Sequence, residues 1–523
     1  MDLRRLLTLS AVSLLLVGTL AGCLNKPAVG DDEDEGPPAP VVPVDWPSLA
    51  LPFGEAHDHL DATHHENLST PNFEVVGWDP LITEHHGRTS GSYMCGDVSE
   101  GDDRTIGVVH SHLSDVAFVV VDLTDPAAPT MLGELVMANT FIYDVAVTPD
   151  ARFVALATSD PSQEDEPPFF AGKAVFRDCQ GETHPVPVAP RVQGPLDDAP
   201  LASGVVLVDL VDPAAPEIVD WTPMPLLGAH SVYATEIDGT YHILGAATNL
   251  EHHGSFFQFI TIDTLPTGPK MVVQSTYRPA PPTEGEQPRI NGHVDGWIQK
   301  HPVTGMVVAY LADWDGGLVI VDLSDPKVPR EIGRWTNYAG QPATTVYGDD
   351  SGSVHTAVPM YTTWDDRHYT FIGQEVVGAP SNTPTGVIYI IDTTDPSDPH
   401  PVGAWTLPVE AKWGATLMFS THYVTLFEES RMLFVTMYHG GVWAVDVSNV
   451  TAPDTRGVFL PTNVSPKPPG DLYSAYNWAP TVLEAEAIGP DLLAVWDGGS
   501  GVYTVRWAPD VVVPDVPEWP VTF

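Results

Sequence analysis

Apolar and polar positions along this chain follow one short pattern that recurs six times. Each copy is a run of β-branched or aromatic residues, followed by an aspartate and then by a turn that contains proline. Such runs are typical of β-strands, and a proline after the aspartate ends the strand because proline has no backbone N–H to donate. The aspartates of the six copies are Asp122, Asp209, Asp263, Asp322, Asp392 and Asp446.

Each copy lies within a larger unit of four predicted strands. In the fourth unit, two strand-like segments at 293–299 and 307–313 precede the copy, and residues 331–335 follow it. Four-stranded units that repeat roughly every fifty to sixty residues are typical of the blades of a β-propeller. An open β-solenoid is the alternative that the repetition alone leaves open.

The two ends of the chain are expected to share one blade. The last unit includes residues 492–496 and 501–507 but lacks a fourth strand, whereas residues 72–78 look like an outer strand without a blade of their own. We expect this segment to complete the last blade, because doing so closes the ring and removes its exposed edges. The sequence therefore predicts an all-β fold: a seven-bladed β-propeller of four-stranded blades over residues 71–509, with a tail at 510–523.

The repeated segments resemble those of the LVIVD-repeat family of bacterial envelope β-propellers. Residues 316–326, Gly-Gly-Leu-Val-Ile-Val-Asp-Leu-Ser-Asp-Pro, contain the motif that names this family. The resemblance extends over the whole predicted propeller and implies the β-propeller fold. It implies little about activity, because the biochemistry of the family is largely uncharacterised.

The N-terminus predicts export and lipidation. Residues 1–22 combine two arginines, an apolar stretch and small residues, which is typical of a signal peptide. Their end, Leu-Ala-Gly-Cys, looks like a bacterial lipobox, so Cys23 would become the lipidated first residue of the mature chain. An ordinary signal peptide or a short membrane anchor is the alternative. Because Leu24 follows Cys23, we expect a cell-envelope lipoprotein anchored in the outer membrane, on its periplasmic or its surface side.

Residues 23–70 are predicted to form an acidic, proline-rich tether followed by a histidine-rich arm at 55–66. Such a composition cannot bury a hydrophobic core. A histidine-rich tract can bind metal, and a solvated arm is the alternative. The arm contains His57, His59, His64 and His65, and a second acidic and histidine-containing run follows it at Glu84, His85 and His86.

Two cysteines remain after Cys23. In an oxidising compartment, Cys95 and Cys179 predict one disulfide. Two free thiols are the alternative.

The charge balance restricts the possible partners. The chain has 22 basic and 69 acidic residues and a formal net charge of −47. This charge argues against nucleic acid and anionic membrane surfaces as partners, because both would repel the protein. It favours divalent cations but identifies no ligand by itself.

Histidines are the main chemical signal in the sequence. Four of them open the predicted innermost strand of successive blades, so we expect them at one mouth of the central channel: His230, His293, His355 and His422. Neutral imidazole is a common ligand of zinc, iron, copper and nickel, so one transition-metal ion is the predicted cofactor.

Further candidate ligands lie at the same end of the predicted ring. They are His110, His112, His252, His253, His439 and Glu375. Glu251, Glu375 and Asp295 could orient the imidazole rings. Histidines that only support packing through hydrogen bonds, as in WD-repeat propellers, are the alternative.

The sequence contains no Gly-x-Ser-x-Gly, phosphate-binding glycine loop, Cys-x-x-Cys or His-Glu-x-x-His motif. We therefore expect an envelope-anchored binding or interaction module, with a histidine-rich channel mouth that holds a transition metal and a protein or glycan partner at that face. A metal-dependent redox or hydrolytic enzyme that uses the inner-strand histidines is the alternative. A purely structural envelope protein is a third possibility.

Overall fold

The computed structural model describes most of the predicted propeller. The described residues are 69–82, 93–101, 104–111, 116–137, 140–159, 203–224, 228–249, 254–279, 294–314, 316–336, 354–375, 386–407, 420–438, 440–461, 481–498 and 500–511, together with the backbone of 175–177 and 183–185. They form seven four-stranded antiparallel sheets and one two-stranded hairpin. The predicted all-β, seven-bladed architecture is confirmed.

The first strand belongs to blade seven, and each blade otherwise consists of strands that follow one another along the chain. In blade two, a separate two-stranded hairpin lies between the second and the third strand. The first strand and blades one to three comprise β1 (Phe73–Asp79); β2 (Tyr93–Glu100), β3 (Thr105–Ser111), β4 (Val116–Asp122) and β5 (Thr130–Val136); β6 (Phe141–Val147), β7 (Phe153–Ser159), the hairpin β8 (Val175–Arg177) and β9 (Thr183–Pro185), β10 (Gly204–Asp209) and β11 (Glu217–Pro223); β12 (Ser231–Ile237), β13 (Thr240–Asn249), β14 (Gly254–Leu265) and β15 (Gly268–Tyr277).

Blades four to seven comprise β16 (Val294–Lys300), β17 (Val307–Asp313), β18 (Gly317–Asp322) and β19 (Arg330–Trp335); β20 (Val354–Pro359), β21 (Tyr369–Gln374), β22 (Val387–Asp392) and β23 (His400–Thr406); β24 (Val424–Phe427), β25 (Met432–Thr436), β26 (Val442–Asp446) and β27 (Asp454–Phe459); β28 (Val482–Gly489), β29 (Leu492–Asp497) and β30 (Gly501–Trp507).

The blades form a closed ring. The first strand of each blade is the innermost, and β2, β6, β12, β16, β20, β24 and β28 each contact the next in this order. The last of them, β28, contacts β2 again. Seven inner strands therefore surround one central axis.

Ring closure uses the N-terminal strand, as the sequence predicts. β1 pairs with β30 as the outermost strand of blade seven, with Phe73 opposite Trp507. The ring of Phe73 lies 5.0 Å from that of Trp507, and it also contacts the ring of Phe434 in blade six. The two ends of the propeller are thus joined by backbone pairing and by a buried aromatic cluster.

The repeated sequence motif holds neighbouring blades together. In blade five, Asp392 ends the third strand and accepts a hydrogen bond from the backbone N–H of Thr394, which shapes the turn. The backbone of this turn lies directly against Gly333 in the outermost strand of blade four, where an added Cβ would be 2.0 Å from the carbonyl oxygen of Pro396. The equivalent contact one blade further brings Gly403 against Val450. The repeat is therefore a packing device between blades.

The third unit departs from the motif. We expect its strand to stop after Asp263, but β14 continues to Leu265 and turns directly into β15, which begins at Gly268. The reason is that proline comes three residues after Asp263 rather than in the Asp-Pro turn found in most other units, so Asp263 remains in register opposite Lys270.

Several sequence predictions lie outside the described residues. These are the signal peptide, Cys23, the tether, the histidine-rich arm with Glu84, His85 and His86, and most of the C-terminal tail. Among the described residues, no helix has the length and apolar character that crossing a membrane requires.

Candidate metal site at the channel mouth

His355 and His422 come from neighbouring blades and lie side by side. Their ring centroids are 4.3 Å apart, and the residues are only 5% and 6% exposed. His355 is the second residue of β20, at an irregularity between Val354 and Thr356 in its pairing with β21. A β-bulge re-aims the side chain that it contains. His422 lies two residues before β24, so both histidines are at the start of innermost strands, as the sequence predicts.

Glu375 lies against this pair of histidines. It follows β21 and is fully buried, and its Oε2 atom is 3.7 Å from Nε2 of His355. The hydroxyl of Tyr438 donates a hydrogen bond to Oε1 of Glu375. One potential ligand atom from each of His355, Glu375 and His422 lies within 4.8 Å of the other two. The geometry brings together two imidazoles and one carboxylate.

A hydrogen bond sets the orientation of the His422 ring. Its Nδ1 atom lies 2.9 Å from the carbonyl oxygen of Leu483 in blade seven. Because a carbonyl can only accept, Nδ1 carries the proton and Nε2 is the basic nitrogen. Histidines that bind metals commonly have this arrangement, since a backbone carbonyl bonded to one nitrogen fixes the tautomer and leaves the other as the ligand.

A second buried histidine pair has a different role. The rings of His301 and His368 are 4.6 Å apart. Nε2 of His301 lies 2.9 Å from the carbonyl oxygen of Thr393, and Nε2 of His368 lies 2.8 Å from that of Met360. Burial lowers the pKa of His368 to about 4. These nitrogens are used in hydrogen bonds within the fold, so this pair matches the structural alternative considered for the histidines.

Of the other predicted histidine ligands, the structure describes His230 and His110, and neither is among the three residues grouped around His355. His230 packs its ring 4.9 Å from that of Tyr143 and is half-buried. His110 is fully buried, and burial lowers its pKa to about 3. Neither belongs to a close group of three possible ligands within the described part of the chain. The remaining candidates, His293, His112, His252, His253, His439 and Glu251, lie outside the described residues.

Cys95 is a free, buried thiol in this structure, on the innermost strand of blade one. Its predicted partner Cys179 lies outside the described residues, so the disulfide stays a prediction.

Asp295 is connected to the histidine pair through Tyr423. It accepts hydrogen bonds from the backbone N–H of Gly296, at 2.6 Å, and from the hydroxyl of Tyr423. The ring of Tyr423 lies 5.4 Å from that of His355 and 5.1 Å from that of His422. Tyr423 therefore stands between the histidine pair and Asp295.

Beyond Tyr423 the channel opens into an acidic cavity of about 400 Å³. Among the described residues that line this cavity, seven are acidic and none is lysine, arginine or histidine. The acids are Asp97, Glu100, Asp144, Asp295, Glu428, Glu484 and Glu486. Burial raises the pKa of Asp97 to about 6 and that of Asp295 to about 7, and it raises the pKa values of Asp144, Glu484 and Glu486 well above the usual range. Of these acids, the sequence singled out only Asp295.

Some of the cavity acids also link neighbouring blades. Asp144 accepts the backbone N–H of Val232 in blade three at 2.9 Å, and Glu484 accepts that of Gly96 in blade one at 2.6 Å. An acidic residue in the middle of an otherwise apolar innermost strand was the signal in the sequence that could have identified them.

Comparison with known proteins gives one match to a family model and several similar solved structures. No curated protein matches the chain. Similar solved structures include the β-propeller domain of Cps50 (Swd1) from Myceliophteria thermophila, with 11% identity over 80% of this chain and 97% of that chain and a TM-score of 0.43. Sqt1 from Saccharomyces cerevisiae shows 9% identity, 80% and 86% coverage, and a TM-score of 0.39. The C-terminal WD40 domain of Sif2 shows 10% identity, 79% and 95% coverage, and a TM-score of 0.40.

None of these similarities identifies a ligand or an activity. The family comparison is more specific, because residues 308–337 span most of β17, all of β18 and all of β19 of blade four. This segment matches the family described as LVIVD repeat, so the chain carries a repeat of that family within its seven-bladed propeller.

Proposed function

We propose that this protein is a binding module whose channel mouth holds one transition-metal ion through His355, Glu375 and His422. The observation that carries the proposal is the burial of two imidazoles and one carboxylate with ligand atoms within 4.8 Å of one another. A buried carboxylate is costly unless a proton, a hydrogen bond or a cation compensates its charge. A metal ion would satisfy all three groups together.

The donor set fits zinc or iron best. Two histidines and one carboxylate bind Zn²⁺ in some hydrolytic enzymes and Fe²⁺ in non-haem oxygenases. Bonds of about 2.0 to 2.2 Å to a zinc ion would draw the three side chains slightly closer together. Copper and nickel also accept imidazole ligands and remain candidates.

Neighbouring side chains support such a site. The Leu483 carbonyl orients His422, and the Tyr438 hydroxyl orients Glu375. The rings of Trp314 and Tyr423 pack near His355, at 6.4 and 5.4 Å. Aromatic walls limit access of water, which strengthens the binding of a charged ligand.

The module would act at the cell envelope. Support comes from the lipobox-like sequence that ends at Cys23 and from the acidic tether that follows it. A lipid on Cys23 would hold the propeller at the outer membrane, and the tether would let the channel-mouth face reach a protein or glycan partner.

A metal-dependent enzyme, redox or hydrolytic, is the second candidate. The ligand set itself favours it, because sites with two histidines and one carboxylate commonly keep a coordination position for water or substrate. Reproducible turnover that requires the metal and is lost on replacing His355 would establish this alternative over simple binding.

A calorimetric zinc titration tests the proposal. Full-length chain treated with a chelator should bind one more Zn²⁺ equivalent than the double variant His355→Gln, His422→Gln. His301→Gln is the matched control, since it removes a buried histidine from the structural pair, and it should bind as many equivalents as the wild type. Equal binding by the wild type and the double variant would overturn the assignment.

A further inference from the structure

We propose that a second divalent-cation site of the zinc type lies deeper in the channel, formed by the thiolate of Cys95 and the carboxylates of Asp144 and Glu484. These residues belong to the innermost strands of blades one, two and seven, which meet at the axis. The Cys95 Sγ atom and one oxygen of each acid lie within 4.8 Å of one another.

Burial makes this group unusual. Cys95 and Asp144 are each 5% exposed, and Glu484 is 6% exposed. Cys95 is a free thiol that lies at an irregularity between Tyr93 and Gly96, where the pairing of β2 with β3 shifts. A free, buried thiol directed at two buried carboxylates presents a soft and two hard ligands to the same point, a combination that zinc accepts.

The acidic surroundings of this group favour the binding of a cation. The cavity beside it is lined by acids and, among the described residues, by no basic side chain. Burial and the neighbouring acids raise the pKa of the Cys95 thiol, and burial does the same for Asp144 and Glu484. A metal ion binds the thiol and the two carboxyl groups in their deprotonated forms, and its positive charge would compensate theirs inside the protein.

Backbone hydrogen bonds hold the two carboxylates in place. Asp144 accepts the N–H groups of Val145, at 2.8 Å, and Val232, at 2.9 Å. Glu484 accepts the N–H of Gly96. Each carboxylate oxygen has two lone pairs, so an oxygen that accepts one hydrogen bond can still bind a metal. These backbone hydrogen bonds would orient the two carboxylates as metal ligands.

The site uses a different set of ligands from the group around His355. Tyr423 stands between the histidine pair and the acidic cavity. The two sites share no ligand, although the charge of Glu375 reaches the Cys95 thiol and raises its pKa. A probe that reports on the thiolate alone therefore distinguishes failure of this site from failure of the histidine site.

Cobalt is the probe, because Co²⁺ replaces zinc in such sites and gives a near-ultraviolet charge-transfer band when a thiolate binds it. Full-length chain, reduced and freed of metal, should develop this band on addition of Co²⁺, and an excess of Zn²⁺ should remove it. Cys95→Ser should abolish the band. Cys179→Ser is the matched control and should retain it, as should the double variant His355→Gln, His422→Gln.

Two further variants keep the test decisive if Cys95→Ser folds poorly. Changes outside the ligand set typically cost about 10- to 100-fold in metal affinity, so loss of a direct ligand in Asp144→Asn or Glu484→Gln should weaken Co²⁺ binding at least as much. The proposal is overturned if the wild type gives no thiolate band, if Cys95→Ser retains it, or if both acid variants bind Co²⁺ as tightly as the wild type.

Discussion

The imidazole rings of His355 and His422 lie with their centroids 4.3 Å apart, although the two residues belong to different blades. A propeller produces this contact because equivalent positions of successive inner strands converge on one axis. Two histidines from successive units of the sequence thereby become neighbours in the fold. The nearby carboxylate of Glu375 gives this cluster the composition of a metal site.

The Tyr438 hydroxyl is expected to tune this site. Because it donates a hydrogen bond to Glu375, Tyr438→Phe should lower the affinity for Zn²⁺ by about 10- to 100-fold while leaving the number of sites unchanged. A competition titration against a chromophoric chelator measures this change. Tyr503→Phe, which removes a buried hydroxyl in blade seven, is the control; an equal effect of both variants would speak against a specific role for Tyr438.

The buried pair His301 and His368 predicts acid sensitivity of folding. Burial lowers the pKa of His368 from 6.5 to about 4, so the unfolded chain binds a proton in this range and the folded chain does not. Stability is therefore lost as pH falls from about 6.5 to about 4. His368→Gln should lose less stability over that interval than the wild type, as measured by urea unfolding at several pH values.

An exposed histidine provides the comparison for this experiment. His400 lies on the surface at the start of β23, and His400→Gln should follow the pH dependence of the wild type. If His368→Gln also followed it, burial of His368 would not be a source of acid sensitivity.

Closure of the ring by β1 should contribute measurably to stability. Phe73 is 4% exposed and contacts aromatic rings of blades six and seven. Replacing a buried phenylalanine by alanine typically costs about 3 to 5 kcal/mol, so Phe73→Ala should shift the denaturant midpoint strongly. Glu74→Ala, next to it but exposed, should change stability by less than about 0.5 kcal/mol. Similar midpoints for both variants would show that β1 is not essential for closure.

The contact between a blade and the next turn can be tested at Gly403. An added Cβ would lie 1.8 Å from the carbonyl oxygen of Val450, so Gly403→Ala must displace a backbone segment. Overpacking of this kind typically costs about 1 to 3 kcal/mol. Gly489→Ala places its Cβ no closer than 3.6 Å to a neighbour and should not destabilise. Thermal unfolding compares the two; equal melting temperatures would refute the contact.

Most of the fold could be predicted from the sequence, because the repeated motif packs each blade against its neighbour. The strand run, the aspartate and the turn serve the junction between blades, and most units contain all three. The strand containing Phe73 was also informative. It resembles an outermost strand but has no other strands of its own unit, so it was expected to pair with the incomplete last blade. The strand that runs past Asp263 was missed, because its Asp lacks the turn that the other units supply.

The candidate site was only partly predictable. His355 and His422 were identified by their position at the start of predicted innermost strands. Glu375 was among the further candidates. The cavity acids Asp144 and Glu484 were missed because each follows a shift in strand pairing, between Ile142 and Asp144 and between Val482 and Glu484. A bulge changes which side chains face the axis, and simple alternation along a strand does not reveal it.

An anomalous-difference map tests the central claim most directly. Crystals of the full-length chain grown with Zn²⁺ and measured at the zinc absorption edge should show a peak about 2.0 to 2.2 Å from nitrogen atoms of His355 and His422 and an oxygen of Glu375. A map with no zinc peak at these three residues, in crystals where the propeller is intact, would contradict the proposed metal site.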